Sequence, residues 1–262
     1  MKKRKGANMK KYAVITGASS GIGYEFAKQL AKKGYPLILI ARRKNRLQNI
    51  AKHFRTECEI VCADLTNIQE CERVYQILES KEIAVFINNA GFGDCGPFLE
   101  SDLDKELQMI HLNVQAMHFF FKRILQKMQK ADHGYLLNVA SIAGLMPAGP
   151  YMATYYASKA YVASLTRAAA VELRDKKSNV YVGCLCPGPV NTEFNRVANV
   201  EFALKGISPA YCSKYALSQM RKRKTVIIPT YQVNFVASFG HLLPTNFLIW
   251  MISFQQKKKI YL

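Results

Sequence analysis

The 262-residue sequence predicts an α/β fold: a doubly wound, mostly parallel sheet of seven strands with helices on both faces. Three observations predict it. Short β-rich runs alternate with longer helical patterns over most of the chain. The strand runs are almost continuously apolar, as strands buried on both faces of a parallel sheet must be. Glycines cluster between the first strand and the first helix, where such a fold turns most tightly.

The elements follow in order. Residues 12–16 (YAVIT) form the first strand and 21–33 the first helix; 36–41 (PLILIA) and 44–56 are the second such pair. Residues 59–63 (EIVCA) and 84–88 (AVFIN) are strands, with 68–80 a helix between them. Residues 103–130 suit one long helix, 135–140 (YLLNVA) a strand and 154–174 a helix. Residues 180–185 (VYVGCL) and 225–228 (TVII) are the last two strands. Crossovers between parallel strands are right-handed, and ligands are expected beyond the carboxyl ends of the strands. No Pro/Gly/Ser-rich linker and no internal repeat divides the chain. Residues 12–262 read as one Rossmann-like domain, preceded by a basic tail (1–11) and ending in an apolar, basic extension (230–262).

Lysine and arginine number 37 against 18 acids, a formal charge of +19, while 50% of the residues are apolar. That balance excludes intrinsic disorder, and 15 Gly with 9 Pro excludes a collagen-like chain. The cysteines, Cys58, Cys62, Cys71, Cys95, Cys184, Cys186 and Cys212, are odd in number and include no CxxC pair. They read as small buried hydrophobes in a reducing compartment rather than a disulfide framework. The basic start Met1-Lys-Lys-Arg-Lys is not followed by a signal-peptide core, so a cytoplasmic protein is expected; Met9 is an alternative start. Basic clusters at 2–5, 10–11, 42–44, 221–224 and 257–259 read as solvated surface. No nucleic-acid-binding module accompanies them, and no nucleic-acid partner is expected.

The first strand runs into Thr16-Gly17-Ala18-Ser19-Ser20-Gly21-Ile22-Gly23. Gly17 permits a tight turn, Gly21 lets backbone approach a pyrophosphate, and Gly23 lets the helix pack closely on the sheet. The helix N-terminus offers free N–H groups and a positive dipole to phosphate, with Ser19 and Ser20 adding hydroxyl donors. An ordinary Gly-rich turn is the plainer alternative; its place after the first strand favours a nucleotide. The second strand ends in Ala41-Arg42-Arg43, where an NAD site usually carries an acid for the ribose 2′-hydroxyl. Guanidinium forks match phosphate oxygens, so this pair, Arg42 in particular, favours NADP(H) over NAD(H).

Ser141 follows the fifth strand, and Tyr155 and Lys159 stand four residues apart on the next helix, hence on one face. A neighbouring ammonium is expected to lower the tyrosine pKa toward working pH. Tyr155 would then give a proton to a carbonyl oxygen or take one from an alcohol, with Ser141 holding the same oxygen. Tyr156 and Tyr151 have no lysine at that spacing. Taken alone, a Tyr and a Lys on one helix turn are usually surface residues.

In this order the residues resemble the short-chain dehydrogenase/reductase family, in its compact single-domain branch with a Y-xxx-K active site. The resemblance runs from about residue 12 to about residue 229. The family's Gly-rich motif matches residues 16–23, and its adenine-contacting Asp matches Asp64, with Leu65 beside it. Its N-N-A-G motif matches Asn88-Asn89-Ala90-Gly91, and its helix asparagine matches Asn113. Its serine matches Ser141, its Y-xxx-K matches Tyr155 and Lys159, and its P-G-xx-x-T segment matches Pro187-Gly188-Pro189-Val190-Asn191-Thr192. The interval from Ser141 to Tyr155 is one residue longer than is common in the family, within residues 146–150.

The resemblance implies the roles. Tyr155 is the acid/base; Lys159 lowers its pKa and holds the nicotinamide ribose; Ser141 polarises the substrate carbonyl; Asn113 holds a water that links Lys159 to solvent. Hydride passes between nicotinamide and substrate carbon without a metal. Val190 and Thr192 hold the carboxamide and Asn89 lies under the adenosine ribose, while Ile22, Ala90, Gly91, Pro187 and Gly188 complete the NADP(H) set. The five histidines (His53, His111, His118, His133, His241) show no metal-ligand spacing. Cys184 and Cys186 share one face of a strand and read as packing.

Substrate identity is expected to reside in residues 92–97, 145–152 and 194–209, which contain Phe92, Leu145, Met146, Tyr151, Met152, Phe194, Phe202 and Leu204, with Phe98 adjacent. Such a lining suits a hydrophobic ketone or secondary alcohol, with a hydroxysteroid or a 3-oxoacyl substrate as alternatives. Core residues under loops are the plainer reading. Residues 235–254 (FVASFGHLLPTNFLIWMISF) are apolar, are interrupted by Pro244, and precede Lys257-Lys258-Lys259. They have the length of a membrane span but include His241, Thr245 and Asn246. From Thr245, packing of Phe247, Ile249, Trp250 and Ile252 against the domain or a partner subunit is placed ahead of peripheral membrane association. A homodimer or homotetramer is expected. A non-catalytic protein that binds NADP(H), or that anchors a membrane or partner, is the remote alternative.

Overall fold

A computed structural model describes residues 10–198, 206–230 and 243–260. Seven strands, β1 (Lys11–Thr16), β2 (Leu37–Ala41), β3 (Cys58–Cys62), β4 (Glu82–Asn88), β5 (Tyr135–Val139), β6 (Tyr181–Leu185) and β7 (Val226–Ile227), form one sheet. The order is β3-β2-β1-β4-β5-β6-β7, and every neighbouring pair is parallel. The helices are α1 (Gly21–Lys32), α2 (Lys44–Lys52), α3 (Ile68–Glu79), α4 (Leu103–Ile110), α5 (Met117–Ala131), α6 (Ala153–Asp175), α7 (Phe194–Val197), α8 (Pro209–Arg221) and α9 (Thr245–Ile260).

The inner strands are largely apolar because alternate residues feed two different cores. Tyr12, Val14, Ile38 and Ile40 join Val74 of α3, Phe120 and Ile124 of α5 and Val162 of α6. Ala13, Ile15, Leu37 and Leu39 face the other way, onto Phe26 and Leu30 of α1, Leu47 of α2 and Leu217 and Met220 of α8. This is the period-2 rule of a strand applied to a sheet with no wet face.

Three departures from the sequence pattern have local causes. The expected helix over 44–56 stops at Lys52, where the His53 ring meets the Asn49 carbonyl at 2.7 Å. Phe54 then stacks on Tyr24 and the Thr56 hydroxyl donates to the Tyr35 carbonyl, so tertiary contacts take the chain out of the helix. The single helix expected over 103–130 is instead α4 and α5 joined by a wide π-helical turn, His111–Ala116. Asn113 lies within it and spends its carboxamide on the Phe92 backbone rather than on solvent. Helix α8 was not expected, although Ser208 caps it by accepting from Tyr211 N–H and Pro209 occupies its first turn.

None of the cysteines is in a disulfide, and burial pushes Cys71 and Cys212 up to about 12. The Sγ atoms of Cys184 and Cys186 lie 3.8 Å apart on β6 and its extension, both fully buried.

A buried polar chain clamps the sheet to its helices. Asn88 donates to the Met117 carbonyl (2.9 Å) and to the Asn138 side-chain carbonyl (3.1 Å). Asn138 donates in turn to Thr166 (2.9 Å), which donates to the Val162 carbonyl (2.6 Å). Asn138→Ala removes the middle link and leaves a void, at a cost of about 2–3 kcal/mol. Urea denaturation will show a lower midpoint with an unchanged m-value.

Candidate active site

In the sheet order, β1 lies beside β4, the point where the strand sequence changes direction. Thr16 ties the two strand ends together. Its hydroxyl oxygen accepts from the backbone N–H of Asn89 (2.8 Å) and Ala90 (2.9 Å), and the Asn89 amide donates to the Thr16 carbonyl (2.9 Å). Gly17 and Gly21 take left-handed backbone conformations, φ +67° and +57°. A Cβ on Gly23 would stand 2.4 Å from the Gly17 carbonyl oxygen and 2.5 Å from the Asn89 amide nitrogen, so only glycine lets α1 approach this closely.

The α1 N-terminus is prepared for an anion. Its N-cap, Ser20, makes no side-chain capping bond, and no acid stands in its first turn. The turn's N–H groups and the positive end of the helix dipole therefore remain available to phosphate. A cleft of about 820 Å³ opens here, lined by Gly17, Ser19, Ser20, Gly21 and Ile22 at one end. This glycine-rich cradle and the uncapped helix end fit the pyrophosphate of a dinucleotide.

Arg42 and Arg43 both line the same end, in different ways. Arg43 donates to Ser19 Oγ (3.2 and 3.0 Å), to Ser20 Oγ (2.8 Å) and to Glu193 (2.8 Å). Arg42 lies at the rim with its side chain 65% exposed, 3.8 Å from Asp64. Arg43 is thus the more ordered of the two, and Arg42, favoured on sequence grounds, the more exposed. Glu193, absent from the sequence-derived set, also bonds Arg46 (2.6 Å), and the two guanidiniums hold its carboxyl below the usual carboxylate range. Asp64, Leu65, Asn89, Ala90, Gly91, Pro187, Gly188, Val190 and Thr192 continue the lining.

At the other end stand Ser141, Tyr155 and Lys159. Ser141 opens a short 3₁₀ turn (Ile142–Leu145), accepting from Ala143 N–H at 3.2 Å. Tyr155 and Lys159 share a face of α6, are 9% and 5% exposed, and place the Lys159 ammonium 5.9 Å from the phenol ring centre. Lys159 donates to the Val139 carbonyl at 3.1 Å. Asn113 does not line the cleft. It accepts from Phe92 N–H (3.1 Å) and donates to the Phe92 carbonyl (2.8 Å) and Ser158 (3.1 Å), directly behind Gly91. A Cβ at Gly91 would lie 2.8 Å from its side-chain oxygen and 3.2 Å from Lys159 Nζ.

Burial sets the titration of this pair. Tyr155 is pushed up to about 12 by desolvation, against the opposing pull of the Ser141 hydroxyl. Lys159 is pushed down to about 8 by the same cause. The lowering expected of Tyr155 is therefore not what the protein alone provides: Lys159 has lost its proton before the phenol begins to ionise. Near neutral pH the pair holds a neutral phenol beside an ammonium, the protonation state of a proton donor.

The rest of the cleft is apolar. Phe92, Met146, Met152 and Phe194 line it as expected. Phe98 instead is 61% exposed, Leu145 packs against the core, and Tyr151 turns aside at φ 65° with Lys257 over its ring. Phe202, Leu204 and His241 lie outside the described residues. The roof is α9, which contributes Leu248, Met251, Ile252, Gln255 and Gln256. Gln256 donates to the Tyr156 oxygen at 2.7 Å, so Tyr156, set aside on sequence grounds, anchors this roof to α6. Phe247 and Trp250, expected to pack against the domain or a partner subunit, face away from the domain, and Ile249 is half-buried.

The family model described as short chain dehydrogenase matches residues 11–201. The chain belongs to the short-chain dehydrogenase family. Members are oxidoreductases that use a nicotinamide cofactor. The chain is 32% identical over 206 residues to a very-long-chain 3-oxoacyl-CoA reductase of Anas platyrhynchos, covering 75% of this chain and 65% of that one. It is 33% identical over 199 residues to the 17-beta-hydroxysteroid dehydrogenase type 3 of Mus musculus, covering 73% and 64%. It thus spans under two thirds of the length of these curated relatives. Among solved structures, a short-chain dehydrogenase from Sphingobium yanoikuyae in complex with NADPH superposes with TM-score 0.80 at 28% identity, over 88% of this chain and 93% of that one. One from Burkholderia phymatum in complex with NAD shares the fold, with TM-score 0.80 at 24% identity over 89% and 94%.

A buried ammonium costs stability. With Lys159 titrating near 8 in the folded dehydrogenase and near 10.5 when unfolded, the unfolded chain holds the extra proton between those values. Stability therefore rises with pH across that window, and the penalty is full below it. Lys159→Met keeps the apolar stem and removes the charge. It is expected to raise stability at pH 7 by about 2–3 kcal/mol, with the gain fading toward pH 10.5. Denaturation of both forms at pH 7 and pH 10 checks the sign.

Proposed function

We propose that the chain is an NADP(H)-dependent oxidoreductase interconverting a hydrophobic ketone and its secondary alcohol, with Tyr155 as general acid/base. One observation carries this reading. A single cleft joins the glycine cradle and Arg43 at one end to Ser141, Tyr155, Lys159 and an apolar chamber at the other.

The dinucleotide, when bound, supplies or accepts hydride at its nicotinamide ring. The chain's residues do the rest. In reduction the Tyr155 phenol gives its proton to the carbonyl oxygen as that oxygen gains charge, and Ser141 donates a hydrogen bond to the same oxygen. The Lys159 ammonium stabilises the phenolate left behind and holds the nicotinamide ribose. Asn113, behind Gly91, supports the route by which that proton is replaced. Arg43, joined by Arg42 from the rim, takes the 2′-phosphate. The cradle from Gly17 to Gly23 takes the pyrophosphate, Asp64 and Leu65 flank the adenine, Asn89, Ala90 and Gly91 the ribose, and residues 187–192 the carboxamide side.

Relatives named for 3-oxoacyl-CoA reduction and for 17-beta-hydroxysteroid oxidation support two substrate classes within this reading, and the apolar roof suits either. The protein is placed in the cytoplasm as a homodimer or homotetramer. Leu103, Leu107 and Ile110, exposed on one face of α4, offer the surface for a second copy.

Nicotinamide and protein fluorescence titrations with NADPH and NADH test the cofactor. NADPH binds more tightly, and Arg43→Asp or Arg42→Asp weakens it about tenfold to several hundredfold. Equal NADH binding overturns the choice. With a panel of 17-ketosteroids and 3-oxoacyl thioesters, Tyr155→Phe keeps nucleotide affinity and loses about 10²–10⁴ in turnover. Nucleotide binding without turnover of any carbonyl would leave the non-catalytic alternative.

A further inference from the structure

Helix α9 has two apolar faces with different destinations. Leu248 and Ile252 point into the protein, 8% and 9% exposed, over the candidate substrate chamber. Phe247, Trp250 and Phe254 lie outside at 46%, 64% and 58% exposure, with ring centres 5.9 and 6.4 Å apart in one stacked row. An aromatic row held in water on a helix that is already anchored inward marks a docking face. Gln256 on Tyr156 and Lys257 over Tyr151 fix which face turns outward.

We propose that this outer face docks on an anionic lipid surface, with Phe247 and Trp250 seated at headgroup depth. Charge selects that occupant. The helix, TNFLIWMISFQQKKKI, contains no acid, and exposed Lys257 is followed in sequence by Lys258 and Lys259. Aromatic rings beside a lysine run are the pattern of a helix lying in the membrane interface. A second copy would bring another lysine run, on a chain of net charge +19, against the first. No helix among the described residues is long and apolar enough to cross a membrane, so the contact is peripheral. Where the reading of a hydrophobic substrate holds, docking also places the chamber's roof at the phase in which such a substrate dissolves.

The chain carries its own probe, because Trp250 is its single tryptophan. The full chain is titrated with vesicles of phosphatidylcholine alone and of phosphatidylcholine mixed with phosphatidylserine. With the mixed vesicles, tryptophan emission shifts to the blue and is quenched by lipids brominated near the headgroup. Added salt and pure phosphatidylcholine both weaken the response. Phe247→Ser lowers vesicle affinity about tenfold, and charge reversal at Lys257, Lys258 and Lys259 abolishes the preference for phosphatidylserine. Unchanged emission with no co-sedimentation at low salt overturns the proposal. So does emission already blue and concentration-dependent without lipid, the mark of a second copy on this face. Loss of binding with the lysines but not with Phe247 also overturns it, as surface adsorption without seating. NADPH affinity measured on the Phe247→Ser sample separates the two readings: vesicle binding can fail with nucleotide binding intact, and the reverse.

Discussion

Lys159 carries an ammonium into the interior, and the surrounding chain is shaped to accept it. The group is 5% exposed and has the Val139 carbonyl at 3.1 Å as its partner. An isolated buried charge is costly, so its neighbours must be close and polar or small. Gly91 is small because a Cβ there would press on both Nζ and the Asn113 oxygen. Gly144 is small because a Cβ would lie 2.2 Å from the Lys159 carbonyl oxygen. The widened turn over 111–116 brings Asn113 to the same corner and locks it to Phe92. A helix break, Gly91 and a strand end thus serve one side chain, while Gly144 lets the chain approach the backbone that carries it.

The two ends of the cleft use opposite electrostatics. At the glycine-cradle end, charge is exposed and plentiful: a helix N-terminus stands beside Arg43 and Arg42, which remain hydrated. At the reacting end, charge is scarce and dry, and desolvation governs both Tyr155 and Lys159. Glu193 lies at the first end, bridging Arg43 and Arg46, and the adjoining Phe194 lies at the second, its ring 5.5 Å from that of Tyr155. The segment over 192–194 therefore joins the two environments, with Thr192 within 3.2 Å of where a Cβ on Gly21 would be.

How much of this was legible in the sequence depended on what imposes each feature. The inner strands and the glycine cradle were legible because backbone geometry demands them: two-sided burial makes the inner strands largely apolar, and only glycine accepts the approach at Gly23. Ser141, Tyr155 and Lys159 were legible through spacing, since i and i+4 on α6 must share a face. The π turn was not, because residues 111–116 carry ordinary helix formers and the break comes from a bond to Phe92, distant in sequence. The end of α2 failed for the same reason. The faces of α9 were illegible because apolar residues occupy both sides, so periodicity could not say that Leu248 and Ile252 turn in while Trp250 turns out. The tie from Gln256 to Tyr156, with Lys257 over the Tyr151 ring, decides it.

That tie also links the roof to the neighbour of Tyr155. Tyr156 is pushed up to about 12 by burial and stays a neutral phenol under Gln256, in the residue next to Tyr155. The shift at Tyr155 comes from desolvation, so it lasts only while the chamber excludes water. Leu248, Met251 and Ile252, apolar side chains of the roof, help to keep that condition. The hydrophobicity of the roof and the raised pKa of Tyr155 are consequently one property of the fold: a phenol kept dry holds its proton more tightly than a hydrated one. The helix that helps to keep it dry stands about ninety residues away in sequence.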